Sequence, residues 1–384
     1  MISMLCGAEL DIFVPSFPEI QAQFNLSPFM TQLTLSLNFI AYCICSLFVG
    51  IMSDKYDRRK IVMISLLIFI VGSVFCLFTY SYYVLLIGRV LQGIGIAGPS
   101  LITYAIIADK YPIEKQISFI GLLHGLTAFA MSAAPIIGSY ITHYFGWRGN
   151  FVLLLLFSLI CLLLSTFFIH SNNQKLHINI SLTSYIPLIK SKKLMLFTAA
   201  ISFFAVPFWV FVGISPILYR QDFQVSLENF GFYQGALAMV FAIGSSLSGI
   251  LIKKVGTKKA FFIGLAMCFI HIIAICFIII LNVKDPLIIT LSMAIASAGV
   301  VIPINTLYPH SLEVLENSKG RASAFISGMR LMICSIGLWL VGASYDGTFA
   351  PIGYWIIITM SIALIISIII IRTQKDLLAP LHNT

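Results

Sequence analysis

Charge is what this sequence has least of. Only 10% of its 384 residues are Asp, Glu, Lys or Arg, while 59% are hydrophobic. A soluble domain carries about 25% charged residues, so a water-soluble globular protein is excluded. Acids are scarcer than bases, 14 against 23, which leaves a net charge of +9. In a soluble chain that excess would point to nucleic acid. Here the bases sit in short loops between apolar runs, where they orient a membrane protein, and no nucleic-acid partner is expected.

Other absences narrow the function. The eight cysteines all fall inside apolar runs and none forms a CxxC pair. That argues against a disulfide frame or a zinc site and leaves small apolar fillers. No HExxH, no GxSxG elbow and no His/Asp cluster occurs, so an intramembrane enzyme is not expected, and neither is a metal or a cofactor. No cleavable leader is expected either, because a basic n-region is missing and Glu9 and Asp11 interrupt the first apolar stretch.

Long apolar runs are what is present. A span needs about 20 apolar residues, and twelve are expected: 1–20, 29–53, 61–80, 83–107, 116–143, 150–170, 194–219, 230–252, 259–281, 286–309, 322–343 and 351–371. A transmembrane barrel would show weak alternating segments of about ten residues instead. The first span is odd, with ten residues ahead of Asp11 and no base among them. Either this helix starts shallow in the bilayer or the chain begins upstream of Met1. The longest polar connection follows span six and carries Lys175, Lys190, Lys192 and Lys193. It divides the chain into a bundle at 1–170, a linker at 171–193 and a second bundle at 194–384. Eighteen of the 23 Lys and Arg then fall on one side, three on the other, and Arg89 and Arg330 within spans. The basic side is expected to be cytoplasmic, with both termini and the linker.

The chain also repeats itself. Gly50-Ile51-Met52-Ser53-Asp54-Lys55-Tyr56-Asp57-Arg58-Arg59-Lys60 has an echo that begins at Gly249, 199 residues later, and ends on Lys258 and Lys259. The first copy resembles the GxxxD(R/K)xGRR loop of the major facilitator superfamily, with Asp57 in place of Gly. Arg89-Val90-Leu91-Gln92-Gly93-Ile94-Gly95 resembles the RxxQGxG motif of that family's fourth helix, and Ala134-Pro135-Ile136-Ile137-Gly138-Ser139 its fifth-helix antiporter motif. Asp11-Ile12-Phe13-Val14-Pro15-Ser16-Phe17-Pro18 is similar to the DMYLPALP signature of the bicyclomycin-resistance (Bcr/CflA-type) branch of drug:proton antiporters. The resemblance spans nearly the whole chain. It implies an all-α integral membrane fold of twelve transmembrane helices in two pseudo-symmetric six-helix bundles, in a bacterial inner membrane. It further implies a monomer that exports small amphipathic compounds in exchange for protons by alternating access. Transport of a specific metabolite or siderophore, inward or outward, is the alternative. A non-transporting sensor on the same fold would be expected to lose its intramembrane charges, and this chain keeps them.

An ionisable group inside a span costs roughly 2.5–3.5 kcal/mol on insertion scales and calls for a reason. Asp11, near the far end of helix one, is the first candidate for proton coupling. Burial favours the neutral acid and a nearby cation the ionised one. Arg89 lies at similar depth on helix four, so an Asp11–Arg89 interaction that competes with the proton is expected. Glu9 lies about 200° from Asp11 round a helix, so the two acids share one cavity only if the helix is distorted. Glu9 is either a second proton site or a partner of a neighbouring helix. Arg330, near the middle of helix eleven where the branch usually has Gln, would favour anionic or zwitterionic substrates. Phe13, Arg89, Tyr104 and Phe208 are the other substrate-binding candidates. His124 reads as a satisfied core residue, and Asn38 and Tyr42 carry less weight. Gly93-Ile94-Gly95-Ile96-Ala97-Gly98 matches GxGxxG inside a continuous apolar helix, so close helix packing is expected rather than dinucleotide binding. Gly50, Asp54, Arg58, Arg59, Pro135 and Gly138 are the gating candidates. Asp54 would latch the first repeat loop in one state, a role that Lys253 cannot fill in the second.

Overall fold

The computed structural model describes residues 1–110, 113–169, 182–312, 314 and 319–373. The helices follow the apolar runs. They are α1 (Ile2–Asp11), α2 (Phe17–Phe24), α3 (Pro28–Lys55), α4 (Arg58–Phe78), α5 (Tyr82–Lys110), α6 (Ile113–Phe145) and α7 (Trp147–Phe168) in the first half. A short α8 (Ile186–Lys190) precedes α9 (Lys192–Ile217), α10 (Leu227–Val255), α11 (Thr257–Ile280), α12 (Pro286–Leu312), α13 (Lys319–Ser344) and α14 (Ala350–Thr373). Among the described residues, eleven of these helices are long and apolar enough to cross a membrane.

The twelfth crossing, expected as one helix over 1–20, is broken. α1 stops at Asp11, a single 3-10 turn covers Val14–Ser16, and α2 resumes at Phe17. Pro15 and Pro18 have no N–H to return to the carbonyls of Asp11 and Val14, so the α-helical ladder fails there. The break follows directly on Glu9 and Asp11.

Start signals elsewhere are local. Ser27, Ser191 and Ser226 cap α3, α9 and α10 through their hydroxyls. Asp57, which departs from the family pattern, caps α4 by accepting from Arg59 N at 3.1 Å. Gly256 holds the matching place before α11 with φ +84°, a conformation that favours glycine. The two repeats thus start the same helix by different chemistry.

Packing follows an approximate two-fold. In the first half α1 lies on α6, α3 on α5, and α4 on α5 and α7; in the second, α9 lies on α13, α10 on α12, and α11 on α12 and α14. The halves meet along two related seams, α3 against α13 and α6 against α10. The chain is thus built as two pseudo-symmetric six-helix bundles, eleven crossings being single long helices and the twelfth the broken α1–α2 segment. Gly93, Gly95 and Gly98 do pack helices: a Cβ on them would lie 2.3 Å from Asn38 O on α3, and 2.4 and 2.1 Å from Phe69 N and Ser65 Oγ on α4.

One end of the bundle carries the basic loops around Arg58 and Lys258. Among the described residues, the other end holds the side-chain bonds that join the two bundles directly. Gln32 Nε2 donates to Gly213 O at 2.7 Å, Ser335 Oγ to Ser36 O at 3.0 Å, and Ser132 Oγ to Gly235 O at 3.1 Å. The Phe39 and Trp209 rings meet edge to face at 4.8 Å. Toward the basic end the connection between the halves supplies the contact, with Tyr185 OH donating to Leu47 O at 3.2 Å.

Candidate functional site

The candidate residues inside the bundle fall into three groups. The first is centred on Arg89, wholly buried on α5. Its Nη1 lies 3.2 Å from Glu9 Oε1 and 2.6 Å from Gln92 Oε1, and its Nε donates to Thr34 O at 3.2 Å. Asn38 Nδ2 donates to Glu9 Oε1 at 2.8 Å and to Arg89 O at 3.1 Å. Gln92 Nε2 donates to Ser73 Oγ at 2.9 Å. The guanidinium also lies 4.2 Å from the Phe13 ring centre, a cation–π contact. This network ties α1, α3, α4 and α5 into one body, and every member belongs to the first half.

That geometry corrects an expectation. Arg89 pairs with Glu9, not with Asp11. The reason is the spacing already noted: two residues along α1 turn the side chain about 200° away. Once Glu9 faces α3 and α5, Asp11 must face elsewhere, and the break at Ile12 does not swing it back.

Asp11 forms the second group. It is buried, and its Oδ2 has no hydrogen-bond partner. Gln234 of α10 faces it from the other half within interaction range, yet neither amide atom of Gln234 completes a hydrogen bond. The Ser139 hydroxyl is likewise buried without a partner, beside Gly231 on the same α6–α10 seam. Buried polar groups are normally satisfied, so several orphan atoms at one seam set it apart from the rest of the interior. Gly138 brings α1 and α6 together here, since a Cβ on it would lie 1.9 Å from Ile12 O. Pro135 lies within α6 with its carbonyl against Gly231 of α10.

Arg330 begins the third group, near the middle of α13. It is half-buried and its Nε has no hydrogen-bond partner. Phe208 is half-buried on α9 with its ring 5.5 Å from that of Trp209. Phe13 is fully buried between Phe17 and Phe151 as well as Arg89. It therefore packs the core of the first half rather than lining a path.

The gating candidates divide. Gly50 lies where α3 meets the connection and α13, its Cβ position 3.2 Å from Tyr185 Oη and 3.5 Å from Ala324 Cβ. Arg59 instead donates to Thr166 O at 2.6 Å and binds α4 to α7 inside its own half. Arg58 begins α4 beside it. The side chains of Asp54, Tyr104, His124 and Lys253, and residues 170–181 of the connection, lie outside the described residues.

Gln234 was missed in the sequence, and Asn38 underrated. The signal was an amide in an apolar span, the same signal that singled out the charges. Gln92 was in view only as a motif letter, although it sits three residues from Arg89 on the same helix face.

The Major Facilitator Superfamily model matches residues 1–338. A bicyclomycin resistance protein homolog of Haemophilus influenzae is 25% identical over 377 residues, covering 96% of this chain and 93% of the relative. The multidrug resistance protein MdtL of Salmonella heidelberg is 25% identical over 251 residues, covering 65% of this chain and 62% of the relative. Among solved structures, an inward-facing, occupied bacterial homolog of the human lysosomal transporter Spinster superposes with a TM-score of 0.78 at 16% identity, covering 98% and 96% of the two chains. The D-xylose-proton symporter superposes with a TM-score of 0.75 at 14% identity, covering 94% of each.

Proposed function

The chain belongs to the major facilitator superfamily, a family of transporters and not of enzymes, and on that premise we propose that it exports small amphipathic compounds in exchange for protons. The observation that carries this reading is the Asp11 group: a buried acid with an orphaned oxygen, facing an unsatisfied Gln234 across a seam between the halves. A protonated Asp11 donates to the Gln234 carbonyl and holds α1 against α10, which keeps the end away from the basic loops closed. Ionisation turns donor into acceptor, so that only the Gln234 amide N–H is left to meet the carboxylate, and leaves a buried charge with no cation beside it. The seam then opens, the site meets the other side, and the substrate leaves as a proton arrives. The Glu9–Arg89 network keeps the first half rigid while it rocks.

In this reading the basic loops face the cytoplasm of a bacterial inner membrane, with both termini and the linker. The bundles are 1–170 and 194–384, and the protein acts as a monomer. Gly50, Asp54 and Arg58 belong to the cytoplasmic gate, Arg59 braces α4 on α7 beside it, and Pro135 and Gly138 belong to the α1–α6–α10 crossing. Drug resistance in the names of two relatives supports export and suggests bicyclomycin as the first probe. A second reading, proton-coupled transport of one metabolite or siderophore, draws on Arg330, a cation that a site for lipophilic cations would not keep.

Inside-out vesicles carrying a respiration-driven pH gradient test the proposal. Adding bicyclomycin should dequench an entrapped pH-sensitive dye in the native protein and fail to do so in Asp11→Asn. Equal dequenching by the two proteins would remove Asp11 as the proton carrier.

A further inference from the structure

The charges inside the bundle do not balance. Arg89 is neutralised by Glu9 at 3.2 Å. Arg330 has no such partner: among the described residues no carboxylate lies within ion-pair distance of it, and its Nε is unbonded. A guanidinium near the middle of a membrane helix is costly when left alone. It is also half-buried rather than sealed in packing.

What surrounds it comes from both halves. Tyr42 of α3 lies within electrostatic range of both Arg330 and Tyr308 of α12. The Tyr42 hydroxyl shares a hydrogen bond with Ser100 Oγ of α5 at 2.8 Å, and Tyr308 OH one with Ser323 Oγ at 2.7 Å. Tyr42, Ser100, Tyr308 and Arg330 are all half-buried. The approach of α3 to α13 that gathers them depends on Gly328, whose Cβ position is 3.1 Å from Cys43 Sγ. Ser323, which holds Tyr308, and Arg330 are seven residues apart and share one face of α13, so both tyrosines and the guanidinium belong to the α3–α5–α12–α13 region between the bundles, where transporters of this architecture hold their cargo.

We propose that Arg330, Tyr42, Ser100 and Tyr308 form the seat for the carboxylate of a small organic anion or zwitterion. The guanidinium takes the carboxylate through two parallel N–H donors. The tyrosine rings pack the apolar body, and their hydroxyls reorient to meet its remaining oxygen lone pairs. The arriving anion supplies the countercharge that the protein withholds, so the occupied site is neutral and the empty one is not. Lipophilic cations are repelled from the same place. This assignment rests on the reading of the protein as a transporter with its path between the bundles, but not on the role of Asp11.

Three probes of one skeleton and different charge test it: 3-phenylpropionate, phenylalanine and 3-phenylpropylamine. Binding to the purified full chain in detergent, with no gradient, is followed by thermal shift and tryptophan quenching. The carboxylate and the zwitterion should bind at least tenfold tighter than the amine. Arg330→Gln should lose at least tenfold of the carboxylate's affinity, Arg330→Lys should keep part of it, and unliganded Arg330→Gln should melt no lower than the native protein. The double variant Tyr42→Phe/Tyr308→Phe, which keeps the rings, should bind the carboxylate several-fold more weakly and serves if Arg330→Gln does not fold. Amine binding as tight as carboxylate binding, no binding by any of the three, or unchanged affinity in Arg330→Gln would overturn the assignment. The measurement involves no proton movement, so a failure of the vesicle experiment with Asp11→Asn would leave it standing.

Discussion

Arg89→Met leaves Glu9 buried with a single donor, Asn38 Nδ2, and strips a donor from Gln92 Oε1 and Thr34 O. Breaking a buried pair from one side costs about 3–5 kcal/mol, because the remaining charge is uncompensated. Glu9→Gln does the converse: Arg89 keeps Gln92, Thr34 O and the Phe13 face but loses its anion, and the loss should be at the lower end of that range. The double variant Glu9→Gln/Arg89→Met removes both charges, and replacing a buried pair by neutral groups of similar volume is close to neutral. Single losses of about 3–5 and about 3 kcal/mol against a near-neutral double variant make the coupling about 6 kcal/mol or more, with the double variant more stable than Arg89→Met alone. The protein carries its own reporter, since five of its eight cysteines are buried and react with a thiol-specific fluorogenic dye only on unfolding. At roughly 2 °C per kcal/mol, the low end of the usual scaling, Arg89→Met should melt about 6–10 °C below the native protein. Additive losses, with the double variant below both single ones, would refute the view that Glu9 and Arg89 hold each other.

Three further outcomes follow from the same contacts. Gly138→Val should drive α1 off α6, since even a Cβ would overlap Ile12 O, and should cut the yield of folded protein in size-exclusion chromatography severalfold, whereas Gly249→Ala, with open space around it, should not. Asp57→Ala should lose the α4 cap for about 1 kcal/mol, a drop of about 2 °C in the same melting assay, and Asp57→Asn should restore most of it; equal melting of Asp57→Ala and the native protein would count against the cap. In a background without native cysteines, Ser36→Cys/Ser335→Cys should cross-link under mild oxidation, because each hydroxyl already bonds the other residue's backbone oxygen. The cross-linked protein should bind ligand but not transport it, and full transport would mean that this end need not open.

The fold was legible because a bilayer imposes length. Twelve crossings and the doubled plan came from apolar runs, loop charge and one repeat. The break in the first crossing was half visible: Pro15 and Pro18 were plain, but the consequence for a helix expected over 1–20 was not drawn. At the site, the charged residues announced themselves through their cost in lipid. Their partners did not, because which of Glu9 and Asp11 meets Arg89 depends on the azimuth of α1, and that is set by packing against α6 at Gly138 and against α3 and α5. Gln234 could not be assigned from its own helix at all, since its meaning lies in what faces it from the other half.

The repeat also shows how the two halves have diverged around a shared frame. Where the first half joins α4 to α5 through Ser73 and Gln92, the second joins α11 to α12 through His271 and Ser292, whose Nδ1 and Oγ lie 3.1 Å apart. These pairs are separated by 198 and 200 residues, within one of the spacing between the two loops, so the helix–helix bond is kept with other atoms. The charged network is not kept. The positions 199 residues after Glu9, Asn38 and Arg89 are Phe208, Leu237 and Ile288, and the position 199 before Arg330 is Met131. A structural role common to both halves would be duplicated, as the Ser73 bond is. Charges that occur in one half alone are tied to something the halves do differently. On the proposed reading, the first half carries the acid that handles the proton and the ion pair that braces it, the second carries the cation that meets the substrate, and Gln234 is the point at which the second half senses the state of the first.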